Sequence, residues 1–172
     1  QITKSASKIK KVIYNKEITI NPKVIKAIKE ADLIIFSTGS LLTSIAPHLI
    51  NKDVVATIKA SSASIMYICN LFTQPGETDG FTVSNHIETL ESYLGAGSID
   101  VVIANDSLMD KNLIEIYQTK EQKDQVILDT EKLKAKNIQV IKDNLAKIED
   151  GVYRHDSLKT AYQIFSYLMN RD

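Results

Sequence analysis

A chain of 172 residues has room for one domain of ordinary size and buries roughly two-thirds of the surface its unfolded form exposes. Its 21 Lys and Arg balance its 21 Asp and Glu, and the zero net charge gives no global attraction to nucleic acid or to an anionic membrane. With 44% hydrophobic and 24% charged residues but only 6 Gly and 3 Pro, the composition excludes a disordered or linker-like chain.

The chain starts without Met in a Lys/Ser-rich stretch through Lys11, which reads as part of a longer polypeptide. Asn21-Pro22 offers an N-cap with Pro at the first helical position, and Val24, Ile25 and Ile28 then supply one apolar stripe ending near Glu30. Leu33-Ile34-Ile35-Phe36 is a continuous apolar run between Asp32 and Ser37-Thr38-Gly39, the pattern of a strand buried on both faces and central in a sheet. Helices are expected over 41–49 and 54–59, followed by a second buried strand at 65–69. A third helix spans 83–94, capped by Thr82 or Ser84 and stopped by Gly95. A third strand at 101–104 and a helix at 111–120 continue the alternation. Weaker elements follow as a strand at 126–128, a helix at 131–136 and a strand at 138–141, all suited to a sheet edge.

The tail from Asp156 carries Leu158, Ala161, Tyr162, Phe165 and Leu168 at steps of three and four, which predicts an amphipathic helix docked on the sheet. No repeat, low-complexity tract or linker divides the sequence, so residues 1–172 are expected to form a single α/β domain. Regular strand and helix alternation implies crossover connections. The fold class is therefore a Rossmann-like three-layer sandwich with a mainly parallel sheet and helices on both faces.

Cys69 is the single cysteine and lies inside an apolar strand, so it reads as an inert core thiol in a reducing, cytoplasmic compartment. His48, His86 and His155 have no partners at metal-ligand spacing and fit packing or surface roles, although Arg154-His155 would meet an anion if the tail folds over a crevice. No apolar run approaches the roughly 20 residues that span a bilayer, and the start is not a signal peptide. The Lys-rich segments at 4–16 and 132–142 read as solvated faces.

In parallel α/β sheets, ligands bind where the loops leaving the strands converge and helix N-termini present free N–H groups. After the first strand, Gly39 permits a tight turn and close backbone approach, while Ser40, Thr43 and Ser44 add hydroxyls suited to a phosphate. The same segment serves equally as a plain turn capped by Ser40, and it lacks the Lys of a P-loop. After the second strand, the segment 70–82 holds Asn70, Thr73, Gln74, Glu77, Thr78 and Asp79, far more polar groups than a crossover loop of about 2 to 6 residues needs. Glu77 and Asp79 are candidates to bind Mg²⁺ with substrate phosphates or to orient a hydroxyl, and Asn70 is placed to hydrogen-bond a base, sugar or phosphate. A solvated loop with local turns is the alternative. Asn105-Asp106-Ser107 after the third strand fits either a third wall of the crevice or an ordinary cap.

Two of these stretches carry a resemblance. The segment from Ala31-Asp32 to Ser44 resembles a strand followed by G-P-G-S-L-x-T-S, and Asn70 to Gly80 resembles N-x-x-T-Q-x-G-E-T-D-G. Both motifs, in this order and at about this separation, are features of the YvcK-type gluconeogenesis factor family, which is related to CofD, a 2-phospho-L-lactate transferase. The similarity continues through Val152-Tyr153-Arg154-His155 into the terminal helix. Ser37-Thr38 stands where the family has Gly-Pro, and Asn85 replaces an Asp before His86.

The resemblance implies a cytoplasmic bacterial protein that binds a nucleotide-sugar such as UDP-N-acetylglucosamine and supports cell shape and growth on gluconeogenic carbon sources. Gly39, Ser40, Thr43 and Ser44 would form its phosphate-binding turn, and Asn70, Thr73, Gln74, Glu77, Thr78 and Asp79 its second wall. The family's glycine-rich N-terminal part has no counterpart here, so the chain resembles a C-terminal portion.

Three functions compete. A regulatory UDP-sugar-binding protein without turnover fits best, because no nucleophile and base stand together in the sequence. A transferase using a nucleotide-activated substrate is the alternative, with Glu77 or Asp79 assisting Mg²⁺ or a hydroxyl. A scaffold for cell-wall synthesis proteins or a Ser/Thr kinase is the third, supported only by exposed Ser and Thr. Homo-oligomerisation stays open.

Overall fold

The computed structural model describes Ile9 and residues 12–171, so most of the Lys/Ser start lies outside the described residues. In chain order the elements are α1 (Pro22–Lys29), β1 (Leu33–Phe36), α2 (Lys52–Ala60), β2 (Ser64–Ile68), α3 (Val83–Leu94), β3 (Val101–Asn105) and α4 (Lys111–Glu121). They continue as α5 (Thr130–Ala135), β4 (Gln139–Asp143), β5 (Ala146–Glu149), β6 (Val152–His155) and α6 (Ser157–Met169). Strands β1 to β4 form a parallel sheet in sequence order, with Ile34 beside Ile65, Met66 beside Val101 and Val102 beside Val140. This is the expected mainly parallel α/β fold.

The pleat sends alternate residues to opposite faces. On one face Ile65, Tyr67, Val102 and Ala104 meet α2, α3 and α5 through Ile58, Ile87, Leu90, Leu94 and Leu133. Ile87, Leu90 and Leu94 recur at three and four along α3 and are fully buried, each contributing about 1.5–3 kcal/mol through burial. On the other face Met66, Val101 and Ile103 meet Ile164 and Tyr167 of α6. Helices thus cover both faces, but one of them thinly.

Local chemistry explains the ends. The Asn21 side chain accepts from Lys23 N at 3.0 Å, capping α1 with Pro22 at its first position. Gly95 follows α3 at φ +104, a conformation that favours Gly. The α3 N-terminus draws its cap from far along the chain, since Asp129 accepts from Ser84 N at 2.9 Å and from the Thr82 hydroxyl at 2.8 Å. Asn85 Oδ1 accepts from Thr82 N at 3.0 Å, a bond that the carboxylate usual in the resembled family would make equally well.

Burial raises the proton affinity of Asp129, but hydrogen bonds from Ser84 and Thr82 outweigh it and hold the carboxyl below its ordinary value. Such a group stabilises the fold fully above the ordinary carboxylate value of about 4 and loses its effect as pH falls through the lower, folded value. Asp129→Asn is therefore expected to lower Tm at pH 7 and to flatten the acid limb of a Tm series taken between neutral and strongly acidic pH. An acid limb as steep as the parent's would refute that role.

β1 is an edge strand, not a central one, and Ile35 is exposed on it. The region 41–49 is not one helix. It divides into a π-helical turn at Leu41–Ile45 and a 3-10 turn at Ala46–Leu49, where Pro47 has no N–H to continue an α-helical ladder. The segment 126–128 is not a sheet strand; Val126 N bonds Leu71 O at 2.9 Å beside one antiparallel bridge, Phe72 with Gln125. The amphipathic tail docks through Thr160, Ile164 and Tyr167, while Leu158, Tyr162 and Phe165 of the expected stripe face outward. A β5–β6 hairpin is present as well, with Asp150-Gly151 at φ +52 and +74 as the two-residue turn between its strands.

Candidate functional site

The stretches after β1 and β2 meet at the carboxyl ends of these strands. Asn70 Nδ2 donates to Gly39 O at 2.9 Å. Glu77 reaches the π-helical turn, accepting from the Ser40 hydroxyl, from Thr43 Oγ1 at 3.2 Å and from Leu42 N at 3.3 Å. The unpaired donors at the start of that turn, the groups expected to attract a phosphate, are thus engaged by a carboxylate of the protein itself. Asp129 does the same at α3.

The second stretch is built as a rigid wall. Glu77 N and Thr78 N donate to Gln74 O at 3.0 and 2.9 Å, and buried Thr78 Oγ1 accepts from Gln74 N at 2.8 Å. Asp79 Oδ2 accepts from Gly76 N at 2.8 Å, where Gly76 takes φ +78. Thr73 is buried and anchors the wall on the segment after α4, donating its N–H to Asp124 O at 2.8 Å and accepting from Asp124 N at 2.9 Å.

Between these stretches, α4 and the β5–β6 hairpin lies a cleft of about 440 Å³. Gly39, Ser40, Asn70, Thr73 and Gln74 line it; Thr43, Ser44, Glu77, Thr78 and Asp79 do not. Thr43, Glu77, Thr78 and Asp79 instead hold the walls in place, and Ser44 is exposed outside the cleft. Asn70 Oδ1 and Gln74 Oε1 are buried acceptors with no hydrogen-bond partner among the described residues. Gly39 does not take a left-handed conformation, and a Cβ added there would meet Ser44 Cβ at an ordinary 3.5 Å. The turn itself does not require this glycine.

The far side of the cleft joins Tyr117 and Lys123, on which the sequence carries no signal, to Arg154-His155, the pair expected to meet an anion if the tail folds over a crevice. Phe72 stacks on Tyr117 with ring centroids 4.4 Å apart, and Tyr153 lies 5.9 Å from Phe72. Tyr153 N donates to Tyr117 Oη at 2.9 Å and Asp110 N to Tyr153 Oη at 2.7 Å, which ties the hairpin to α4. Arg154 and Lys123 bring positive charge to this side, and Glu121 one carboxylate. Lys123 is paired with Glu121 at 2.6 Å, whereas Arg154 is exposed and only 3.9 Å from Glu149, so Arg154 is the cation free to turn to a ligand.

His155 Nε2 donates to Cys69 O at 3.1 Å, and burial lowers its pKa, so it lines the cleft as a neutral ring. Cys69 is buried and its pKa is pushed up to about 12, chiefly by burial, which keeps it an unreactive thiol. His86 is buried beneath the second wall with Nδ1 on Thr82 O at 2.8 Å, and burial lowers its pKa too. Asn105 serves structure, accepting from Leu145 N at 2.9 Å and bonding Ser107, away from the cleft. No group of three His, Cys, Asp or Glu suited to a metal gathers among the described residues, and Glu77 and Asp79 direct their carboxylates at separate donors.

A four-stranded parallel sheet with helices on both faces and a cleft at the carboxyl ends of its strands defines the α/β fold class. Within that class the chain belongs to the CofD family: the family model, described as 2-phospho-L-lactate transferase CofD, matches residues 1–146. Among curated relatives, the gluconeogenesis factor of Bacillus subtilis is 36% identical over 161 residues, covering 93% of this chain and 50% of that protein. A putative gluconeogenesis factor of Thermotoga maritima is 39% identical, with 93% of this chain and 51% of that protein covered. A crystal structure of a Bacillus halodurans protein superposes with a TM-score of 0.89 at 35% identity, covering 95% of this chain and 53% of that one. The chain thus spans about half the length of the curated relatives it matches. No helix among the described residues is long and apolar enough to cross a membrane.

Proposed function

We propose that the cleft binds a nucleotide-sugar of the UDP-N-acetylglucosamine class and that the protein acts as a regulatory factor supporting gluconeogenic growth and cell shape. The carrying observation is the pairing, across one cleft, of an amide wall with an aromatic and cationic wall. Asn70 and Gln74 offer buried acceptors for sugar hydroxyls or a base N–H. Phe72, Tyr117 and Tyr153 offer ring faces on which a base stacks. Arg154 offers a planar fork suited to a diphosphate. A volume of about 440 Å³ lies in the range of small-molecule and cofactor sites. The names of the relatives support the gluconeogenic part of this reading.

A transferase reading is favoured by the family model, which is described by such an activity. Its requirement is a group able to activate a hydroxyl at the cleft, and Glu77, the expected candidate, faces the turn and not the cleft. Titration calorimetry separates the readings. Saturable binding of UDP-N-acetylglucosamine, with UDP weaker and glucose silent and no product after prolonged incubation, supports the regulatory role. Absence of UDP-sugar binding removes it, and conversion of the ligand replaces it by the transferase.

A further inference from the structure

We infer that His155 is a specificity-determining residue of the cleft, whose Nδ1 accepts a hydrogen bond from a sugar hydroxyl of the ligand. The inference rests on the nucleotide-sugar reading of the cleft and adds a contact beyond the amides, rings and guanidinium that carry that reading. A neutral imidazole has one N–H and one free lone pair, so the partner of either nitrogen decides the role of the other. Cys69 O can only accept, and the Nε2 that bonds it at 3.1 Å therefore carries the hydrogen. Nδ1 is left as the acceptor. Burial lowers the pKa of the ring, which keeps that lone pair unprotonated at neutral pH.

The ring is held where a ligand can use it. His155 pairs with Ala146 at the end of the β5–β6 hairpin, and Asp156, the next residue, donates its N–H to Leu145 O at 2.7 Å. Backbone and Nε2 are thus both anchored while the ring lines the cleft, and among the described residues Nδ1 takes no hydrogen bond. If His155 had only to tie the hairpin to β2, any N–H donor of that reach would serve; the imidazole adds an acceptor that the fold leaves over. That acceptor completes a set. Asn70 Oδ1 and Gln74 Oε1 belong to residues lining the same cleft and have no donor among the described residues, and Asn70 Nδ2 fixes its amide by donating to Gly39 O at 2.9 Å. Phosphate oxygens only accept at neutral pH, so they suit Arg154, whereas the three acceptors suit groups that donate. A hydroxylated ring joined to a phosphate meets both demands. An analogue without the hydroxyls leaves the acceptors unpaired, which is how a polar site discriminates.

The test uses two side chains that each keep half of the imidazole. His155→Gln retains an N–H where Nε2 stands and has no acceptor where Nδ1 stands, while His155→Asn retains an oxygen near the Nδ1 position and cannot reach Cys69 O. In calorimetry His155→Gln is expected to bind UDP-N-acetylglucosamine about 2- to 12-fold more weakly than the parent at unchanged Tm, the loss of one neutral hydrogen bond. His155→Asn should lower Tm yet bind more tightly than His155→Gln. Nitrogen NMR of the histidine rings should show the Nε2–H tautomer for the signal that His155→Gln removes, and UDP-N-acetylglucosamine should shift its Nδ1 resonance. A penalty already complete with UDP supports the inference with the ribose as donor, and one confined to the UDP-sugar supports it with the hexose. Parental affinity in His155→Gln, or a proton found on Nδ1, overturns the inference while the nucleotide-sugar reading stands. If the parent binds no UDP-sugar, that reading fails and the Nδ1 resonance decides the fate of His155: a shift with ribose 5-phosphate or glucosamine 6-phosphate upholds its role, and no shift with either overturns it.

Discussion

Arg154→Ala is expected to weaken UDP-N-acetylglucosamine binding by about 10- to 150-fold, the loss that follows when hydrogen bonds worth roughly 1.5–3 kcal/mol to a charged group are removed. The guanidinium stands exposed at the cleft with only a distant carboxylate, Glu149 at 3.9 Å, so it makes no bond the fold depends on. Tm should therefore stay within about 1 °C of the parent, since exposed pairs contribute little. Arg154→Lys keeps the charge without the planar fork and should recover part of the affinity. Calorimetry and thermal melts on the three proteins decide the matter, and equal affinity across them would remove Arg154 from the site.

Glu77→Ala has the opposite signature. Its carboxylate accepts from the hydroxyls of Ser40 and Thr43 and from Leu42 N, joining the two stretches that leave β1 and β2. Removing it leaves partly buried donors without an acceptor, at a cost of about 1–3 kcal/mol. For a domain of this size that lowers Tm by roughly 2–12 °C. Glu77→Gln retains an acceptor and should lose about half as much. Affinity falls in proportion to the loosened wall, because Gln74 lines the cleft from the same turn. A Glu77→Ala protein that melts with the parent would show that the clamp is not what joins the stretches.

The contrast between these two residues shows what could be read in advance. Short apolar runs such as Val101 to Ala104, and caps such as Asn21-Pro22, fix elements through local chemistry, and the parallel fold follows from their alternation. The polar stretches after β1 and β2 stood out because they exceed what a connection needs, and the structure brings them together. Whether a side chain faces the cleft or braces it depends on tertiary contacts that spacing does not encode. Glu77 and Thr78 look like ligand-facing groups in the sequence, yet their partners are the chain's own donors.

Tyr117 and Lys123 carry no signal of their own in the sequence, whereas Arg154-His155 is the pair expected to meet an anion if the tail folds over a crevice, and both line the cleft. Arg154 and His155 reach the cleft on β6, after Asp150-Gly151 turns the chain back, while Tyr117 and Lys123 come from α4 and the segment after it. That dipeptide was the available signal. The terminal helix misled through its own regularity, since its most periodic apolar stripe is the one left outside.

The lone cysteine offers a practical consequence. Cys69 ends the apolar run of β2, its carbonyl holds His155, and its thiol is sealed in the core with Asn70 next along the chain. Only a thiolate reacts with alkylating reagents, so labelling of this sulfur must await opening of the core between β2 and α3. The rate at which a thiol reagent modifies the protein thus serves as a native gauge of core opening, and a ligand that stabilises the folded domain would be seen as a slowing of that single chemical event.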